Sequence, residues 1–180
     1  PAVPRFERAV CEYVSAGFGI ATNSATSALH IACMSLDLGS DDVIWTSPIT
    51  FVASANCGLY CGAGVDFVDV DPFSFNICPI SLEEKFEKAA KANSLPKILI
   101  VVHMAGQSAR MEEIGKLAQQ FGVAVIEDAS HAIGGKYREE PVGCCKWSDI
   151  TIFSFHPVKI ITTAEGGMAL TNSPDIAMKM

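Results

Sequence analysis

Two residues of this chain have the most chemistry within reach. One is the lysine closing Ser154-Phe155-His156-Pro157-Val158-Lys159, and the other is the aspartate closing Val123-Ala124-Val125-Ile126-Glu127-Asp128. Lys159 follows Phe153, Phe155, Pro157 and Val158, an apolar setting. Burial disfavours an ammonium, lowers its pKa and frees the amine to attack a carbonyl. Asp128 ends an apolar run, where an unpaired carboxylate is costly. A pyridinium N–H would supply its partner, and holding that nitrogen protonated makes the ring an electron sink. An Asp ending one apolar strand and a Lys just beyond a later one is the pattern of a pyridoxal phosphate (PLP) site. Lys159 would then be the Schiff-base lysine and Asp128 the partner of the ring nitrogen. Taken singly, a surface lysine and a helix-capping carboxylate are the plainer readings. Taken together, the two favour a cofactor site.

Other residues fall into place around that pair. Asn23-Ser24-Ala25-Thr26-Ser27 opens a helix, where small residues let a ligand approach and unpaired N–H groups face it. Thr26 and Ser27 can add hydroxyls for a phosphate, and Ser154 is a second phosphate ligand. A plain N-cap is the bland alternative for such residues. Phe51, expected just inside a helix after Ser47-Pro48-Ile49-Thr50, could stack on a pyridine face; its spacing suits a core Phe nearly as well. His131 could reach the phenolic oxygen of the ring, and His103 could face substrate. A structural histidine competes with both assignments. His156 reads as structural, and Glu165-Gly166-Gly167 as a tight turn rather than a catalytic acid.

These residues must be positioned by a scaffold, and the chain spells one out. Apolar strands alternate with amphipathic helices, which argues for an α/β fold with a largely parallel sheet. Helices are expected over Pro4–Ser15, from about Ser24 through Leu36, over Thr50–Tyr60, and through the stripe Met111, Ile114, Leu117, Ala118, Phe121. Ser81-Leu82-Glu83-Glu84 reads as a capping box opening the helix with Leu82, Phe86 and Ala90 inward. Strands are expected at Gly19–Thr22, Val43–Thr46, Val65–Val68, Lys97–Val102, Val123–Ile126, Ile150–Phe153 and Met168–Leu170. Ligands of such sheets sit beyond the carboxyl ends of the strands. Thr22-Asn23, His103, Asp128 and Ser154 all fall there.

Composition narrows the function classes. With 180 residues, 49% apolar and 18% charged, the chain can bury one core of ordinary domain size. A net charge of −7 without a Lys/Arg cluster argues against nucleic acid as partner. There is neither a membrane-length apolar run nor a signal segment. The seven cysteines lack zinc-site spacing, so no metal site is expected. They read as buried reduced thiols of a cytoplasmic protein, with Cys57 and Cys61 on one helix face. The first strand is not followed by G-x-G-x-x-G, which counts against a plain nucleotide-binding domain. The chain opens on Pro1 and stops shortly after the Ser173-Pro174 helix start, so we expect part of a longer protein.

At Arg5-Phe6-Glu7, Asn23 to His30, Ser47 to Asn56, Val102 to Gln107, Val125 to Ala132 and above all Ser148 to Asn172, the sequence resembles the DegT/DnrJ/EryC1/StrS family of sugar aminotransferases. The resemblance implies an aspartate-aminotransferase-like three-layer αβα sandwich, PLP fold type I. Residues 1–180 would form most of its large domain, with the small C-terminal domain absent. It implies Lys159 bonded to PLP, Asp128 on the ring nitrogen, and His131 near the ring oxygen. Phe51 would stack on the ring, and Thr26, Ser27 and Ser154 would hold the phosphate. The substrates implied are glutamate and a nucleotide sugar, in the branch working at C4 of UDP-4-keto-6-deoxy sugars for pseudaminic acid. The implied assembly is a homodimer with shared active sites. A related dehydratase branch carries His where Lys159 stands, which counts against it; a PLP-binding regulator without turnover stays open. Ala164 replaces a common Gly and Ser24-Ala25 a common Ser-Gly, small residues for which little effect on the fold is expected.

Overall fold

The computed structural model describes residues 1–180. In chain order the elements are α1 (Ala2–Val14), β1 (Phe18–Thr22), α2 (Ala25–Ser35), β2 (Val43–Thr46), α3 (Ala53–Tyr60), β3 (Gly64–Phe67), α4 (Pro79–Lys91) and β4 (Ile98–Val102). Then come a 3-10 turn (Met104–Gly106), α5 (Met111–Phe121), β5 (Ala124–Asp128), the short hairpin β6 (Lys136–Tyr137) and β7 (Glu140–Pro141), β8 (Ile150–Ser154), β9 (Gly167–Thr171) and α6 (Pro174–Lys179). Seven strands form one sheet in the order β1-β9-β8-β5-β4-β2-β3. The pairs from β8 through β5, β4 and β2 to β3 are parallel, whereas β9 runs against both of its neighbours.

The central strands are apolar on both faces because helices cover both. Along β4, Ile98 and Ile100 join one core while Leu99 and Val101 join another, as side chains on a pleated strand must alternate. The first core packs α2 and α3 onto the sheet through Ala28, Leu29, Ala32, Ala53 and Cys57. The second packs α4 and α5 onto the opposite face. Val10 and Val14 of α1 extend that face over Phe153, Met168 and Leu170. Each fully buried Ile or Leu contributes roughly 1.5–3 kcal/mol from removal of apolar surface. The result is a three-layer αβα sandwich.

Some sequence expectations need correction. Helix α4 starts at Pro79 after the N-cap Cys78, so Ser81 lies inside its first turn and caps nothing. Proline fixes the first helical dihedral and starts the helix earlier than the Ser-x-x-Glu pattern suggests. Helix α3 starts at Ala53; residues 47–52 form a turn, which leaves Phe51 outside the helix. Cys57 is buried in α3 and Cys61, its half-buried C-cap, packs against the same core, so the two do share the inward side. All seven thiols are free, and only Cys33, Cys57 and Cys145 are buried. Ala164 is small, as expected, yet it adopts a left-handed conformation with φ 68°, which strains any residue bearing a Cβ.

Candidate active site

The strand register brings the carboxyl ends together. Val102 of β4 lies opposite Asp128 of β5, Asp128 opposite Ile152 of β8, and both Ser154 and Thr22 opposite Gly167 of β9. A cavity of about 380 Å³ opens along this edge. Thr26, Phe51, His103, Asp128, His131, Ser154 and Lys159 all line it.

One wall is the start of α2. Ser24 is its N-cap, with an extended backbone and a hydroxyl accepting 3.1 Å from the Ser27 N–H. Gly167 packs so tightly against the backbone of Ser24 and Ala25 that a Cβ there would overlap it. Strand β9 therefore fixes where this helix begins. No acidic residue occupies the first turn of α2. The helix N-terminus, with unpaired N–H groups and the positive end of its dipole, faces the cavity beside the hydroxyls of Thr26 and Ser154. Ser27 departs from expectation. It does not line the cavity, and its hydroxyl donates 2.6 Å to Asn23 Oδ1. Ser24, part of the same helix-opening motif but given no ligand role from the sequence, lines the wall in its place.

The opposite end is built around Asp128. Ser54 of α3 donates 2.6 Å to Asp128 Oδ2. Because Ser54 spends its only proton there, Thr50 must donate to Ser54 across their 2.8 Å contact. Ser130 holds the other oxygen, its hydroxyl donating at 2.6 Å and its N–H at 3.2 Å. The carboxylate is thus buried and held in one orientation. Sequence reasoning missed both serines. Ser130 had a local signal, since Asp-x-Ser is a common Asx turn. Ser54 had none, because only the packing of α3 on the sheet brings it to β5.

Lys159 enters from the loop between β8 and β9. That loop is pinned at its base: the Phe155 N–H donates 2.9 Å to the Gly166 carbonyl, and the Thr163 N–H donates 3.0 Å to the Phe155 carbonyl. Lys159 Nζ lies 2.5 Å from His131 Nε2. Burial lowers the Lys159 pKa from its ordinary value, with Asp128 opposing the shift. Burial, and then the Lys159 charge, lower His131 as well, again against Asp128.

His103 lines the cavity, with both ring nitrogens bonded to protein partners. Its Nδ1 accepts 3.1 Å from the Ala109 N–H, so its Nε2 carries the proton and donates 2.7 Å to Glu127. Both ring nitrogens are used inside the protein, and the ring serves as cavity wall. Glu127 also accepts from Ser148 and Thr151. Burial pushes the Glu127 carboxyl up, but these donors outweigh it and hold the group below its ordinary value.

The donor set fits pyridoxal phosphate. An amine with lowered proton affinity suits its aldehyde, a fixed carboxylate suits its ring nitrogen, and a helix N-terminus with two hydroxyls suits its phosphate. Phe51, 72% exposed at the mouth, offers an aromatic face.

Comparison with known proteins agrees. The profile of the DegT/DnrJ/EryC1/StrS aminotransferase family matches residues 1–180. The chain is 41% identical, over 99% of its length and 46% of the relative's, to the UDP-4-amino-4,6-dideoxy-N-acetyl-beta-L-altrosamine transaminase of Campylobacter jejuni. Helicobacter pylori PseC, an aminotransferase involved in the biosynthesis of pseudoaminic acid, superposes with a TM-score of 0.89 at 34% identity, covering 99% of this chain and 46% of that one. NtdA from Bacillus subtilis, solved with bound cofactor PMP, superposes at 0.88 with 30% identity, covering 99% and 39%. The chain thus spans about half the length of the relatives it matches. Motif, sheet topology and profile match lead to one conclusion: this chain belongs to the DegT/DnrJ/EryC1/StrS aminotransferase family.

Proposed function

We propose that the intact protein is a PLP-dependent nucleotide-sugar aminotransferase. It moves an amino group from glutamate to C4 of a UDP-4-keto-6-deoxy-N-acetylhexosamine. The observation that carries this reading is one cavity holding the Lys159 amine, the fixed Asp128 carboxylate and the α2 N-terminus together. Bound PLP supplies an electron sink that lets an amino group leave one carbon and join another. Lys159 anchors the cofactor and, once its amine is free, moves the proton that each half of the transfer requires. Asp128 keeps the ring nitrogen protonated, held for that task by Ser54 and Ser130. The Thr26 and Ser154 hydroxyls and the α2 N–H groups bind phosphate, and Phe51 covers the ring.

Sugar and donor rest on similarity. The relative at 41% identity is named for a 4-amino-4,6-dideoxy sugar linked to UDP, and the family resemblance supplies glutamate. A homodimer sharing its sites is in keeping with the exposed apolar residues at the cavity mouth, among them Phe51 and Val158. The test begins with intact protein, PLP and borohydride, followed by peptide mass spectrometry. Cofactor mass is expected on Lys159. Glutamate with the UDP-4-keto sugar should then yield an amino sugar, and Lys159→Ala should lose both label and product. Undiminished amino transfer by Lys159→Ala would sink the assignment.

A further inference from the structure

Lys159 must shed and regain protons if it acts as the proposed function requires, and the cavity contains a carrier for them. Lys159 Nζ and His131 Nε2 are 2.5 Å apart. A lysine ammonium can only donate, so Nε2 accepts, and the neutral imidazole must carry its own proton on Nδ1. The contact is set by the backbone. The Ala132 N–H donates 2.8 Å to the Ala129 carbonyl in the turn after β5. Gly106, at φ 87°, lies so close to the His131 carbonyl that a Cβ would overlap it. The loop after β4 thus buttresses His131 from behind. The two side chains differ in access, since His131 is solvent-exposed and Lys159 only half so.

The charged and titratable groups around the pair are few. Asp128 of β5 raises the proton affinity of both partners. His103 lines the cavity after β4, and His156 and Glu165 line it from the loop between β8 and β9. Helices α2 and α3 and the turn before α3 contribute only neutral lining groups. Burial and the Lys159 charge together keep His131 unprotonated, and so able to accept, at neutral pH.

We propose that His131 is the proton carrier between Lys159 and solvent. An N–H bond of the Lys159 ammonium breaks as the Nε2–H bond forms. The imidazolium then releases its Nδ1 proton to water, and the reverse sequence returns a proton to the amine. This inference rests on the reading of Lys159 as the cofactor lysine and adds to it the route by which that lysine is deprotonated.

Two measurements test it on the intact protein. The first needs no cofactor: nitrogen NMR of ¹⁵N-histidine-labelled protein, with the His131 signal assigned by its loss in His131→Gln. The expected neutral form at pH 7 has the proton on Nδ1; a proton on Nε2 overturns the proposal. The second follows the rate at which PLP attaches to Lys159, trapped with borohydride, as pH varies. Gln can accept a hydrogen bond but cannot carry a proton. His131→Gln should therefore slow attachment on the order of 100-fold at neutral pH, with added imidazole restoring part of the rate. It should also abolish the lower of two ionisations in the pH profile, the one below which a protonated His131 accepts nothing. Equal rates and equal profiles, with circular dichroism showing both proteins folded, overturn the carrier role. A wild-type protein that takes no PLP on Lys159 overturns the functional reading, and the carrier role falls with it. The wrong tautomer in a protein that does take PLP overturns the carrier role alone.

Discussion

Ala164 shows how a single residue can be read correctly in size and incompletely in conformation. It stands in the turn that returns the Lys159 loop to β9, with φ 68° and its N–H donating 3.0 Å to Thr162 Oγ1. A left-handed residue with a Cβ costs roughly 1–2 kcal/mol, part of which glycine gives back through its larger loss of chain entropy. Ala164→Gly should therefore raise stability by about 1 kcal/mol in denaturant unfolding, with the PLP-trapping yield on Lys159 unchanged. A destabilised Gly variant would mean that the turn is held by something other than its dihedral. That Asp128 and Lys159 meet at one cavity was legible in the sequence because each follows an apolar strand where a charge needs a reason. The engagement of His103 was not, since its partner Glu127 lies on the next strand and leaves no trace in local spacing; that of Ser27 had a local signal, Asn23 four residues before it, which the N-cap alternative already contained. Both residues were nominated by position, yet both are engaged inside the protein.

At the scale of elements, the two-sided apolar strands were legible because helices on both faces demand them. Boundaries were less so: the Ser47–Val52 turn delays the start of α3 to Ala53, and Pro79 at the first helical position starts α4 before the Ser-x-x-Glu pattern. The contact between α4 and the sheet is an aromatic stack. Phe86 is fully buried, with ring centroids 5.2 Å from Trp45 and 5.0 Å from Phe121, so it joins β2, α4 and α5. Phe86→Ala should cost about 3–5 kcal/mol, the transfer loss plus the cavity left behind. Phe86→Leu keeps most of the volume and should cost much less. Urea unfolding of both variants checks this, and equal losses would show that the stack matters more than the volume. The loop carrying Lys159 follows β8, which β5 and β4 separate from β2, so cofactor trapping in the folded fraction should persist.

For the whole molecule, the buried Glu127 network ties stability to pH. Glu127 accepts from His103, Ser148 and Thr151, joining the loop after β4 to β5 and β8. Its folded pKa lies below its ordinary value of 4.5, so the unfolded chain binds a proton first as pH falls. The stability it contributes is fully present above that ordinary value and is lost as pH drops through the folded one. Glu127→Gln should be less stable than wild type at pH 7 and show a flatter decline below about pH 5. Thermal unfolding across that range distinguishes this from a plain packing defect, which would lower both curves in parallel.

The same scale governs assembly. Phe51 and Val158 line the cavity mouth at 72% and 78% exposure, and Ile160 beyond them is 67% exposed. Folded chains seldom leave such residues open together without a partner. If that partner is a second copy, the intact protein should run as a dimer in light scattering, and Val158→Asp with Ile160→Asp should shift it toward monomer. Because the same loop carries Lys159, loss of the partner should also weaken PLP retention on dialysis. An intact wild-type protein that is monomeric and retains PLP would remove the shared-site part of the functional reading and leave a site that one chain completes.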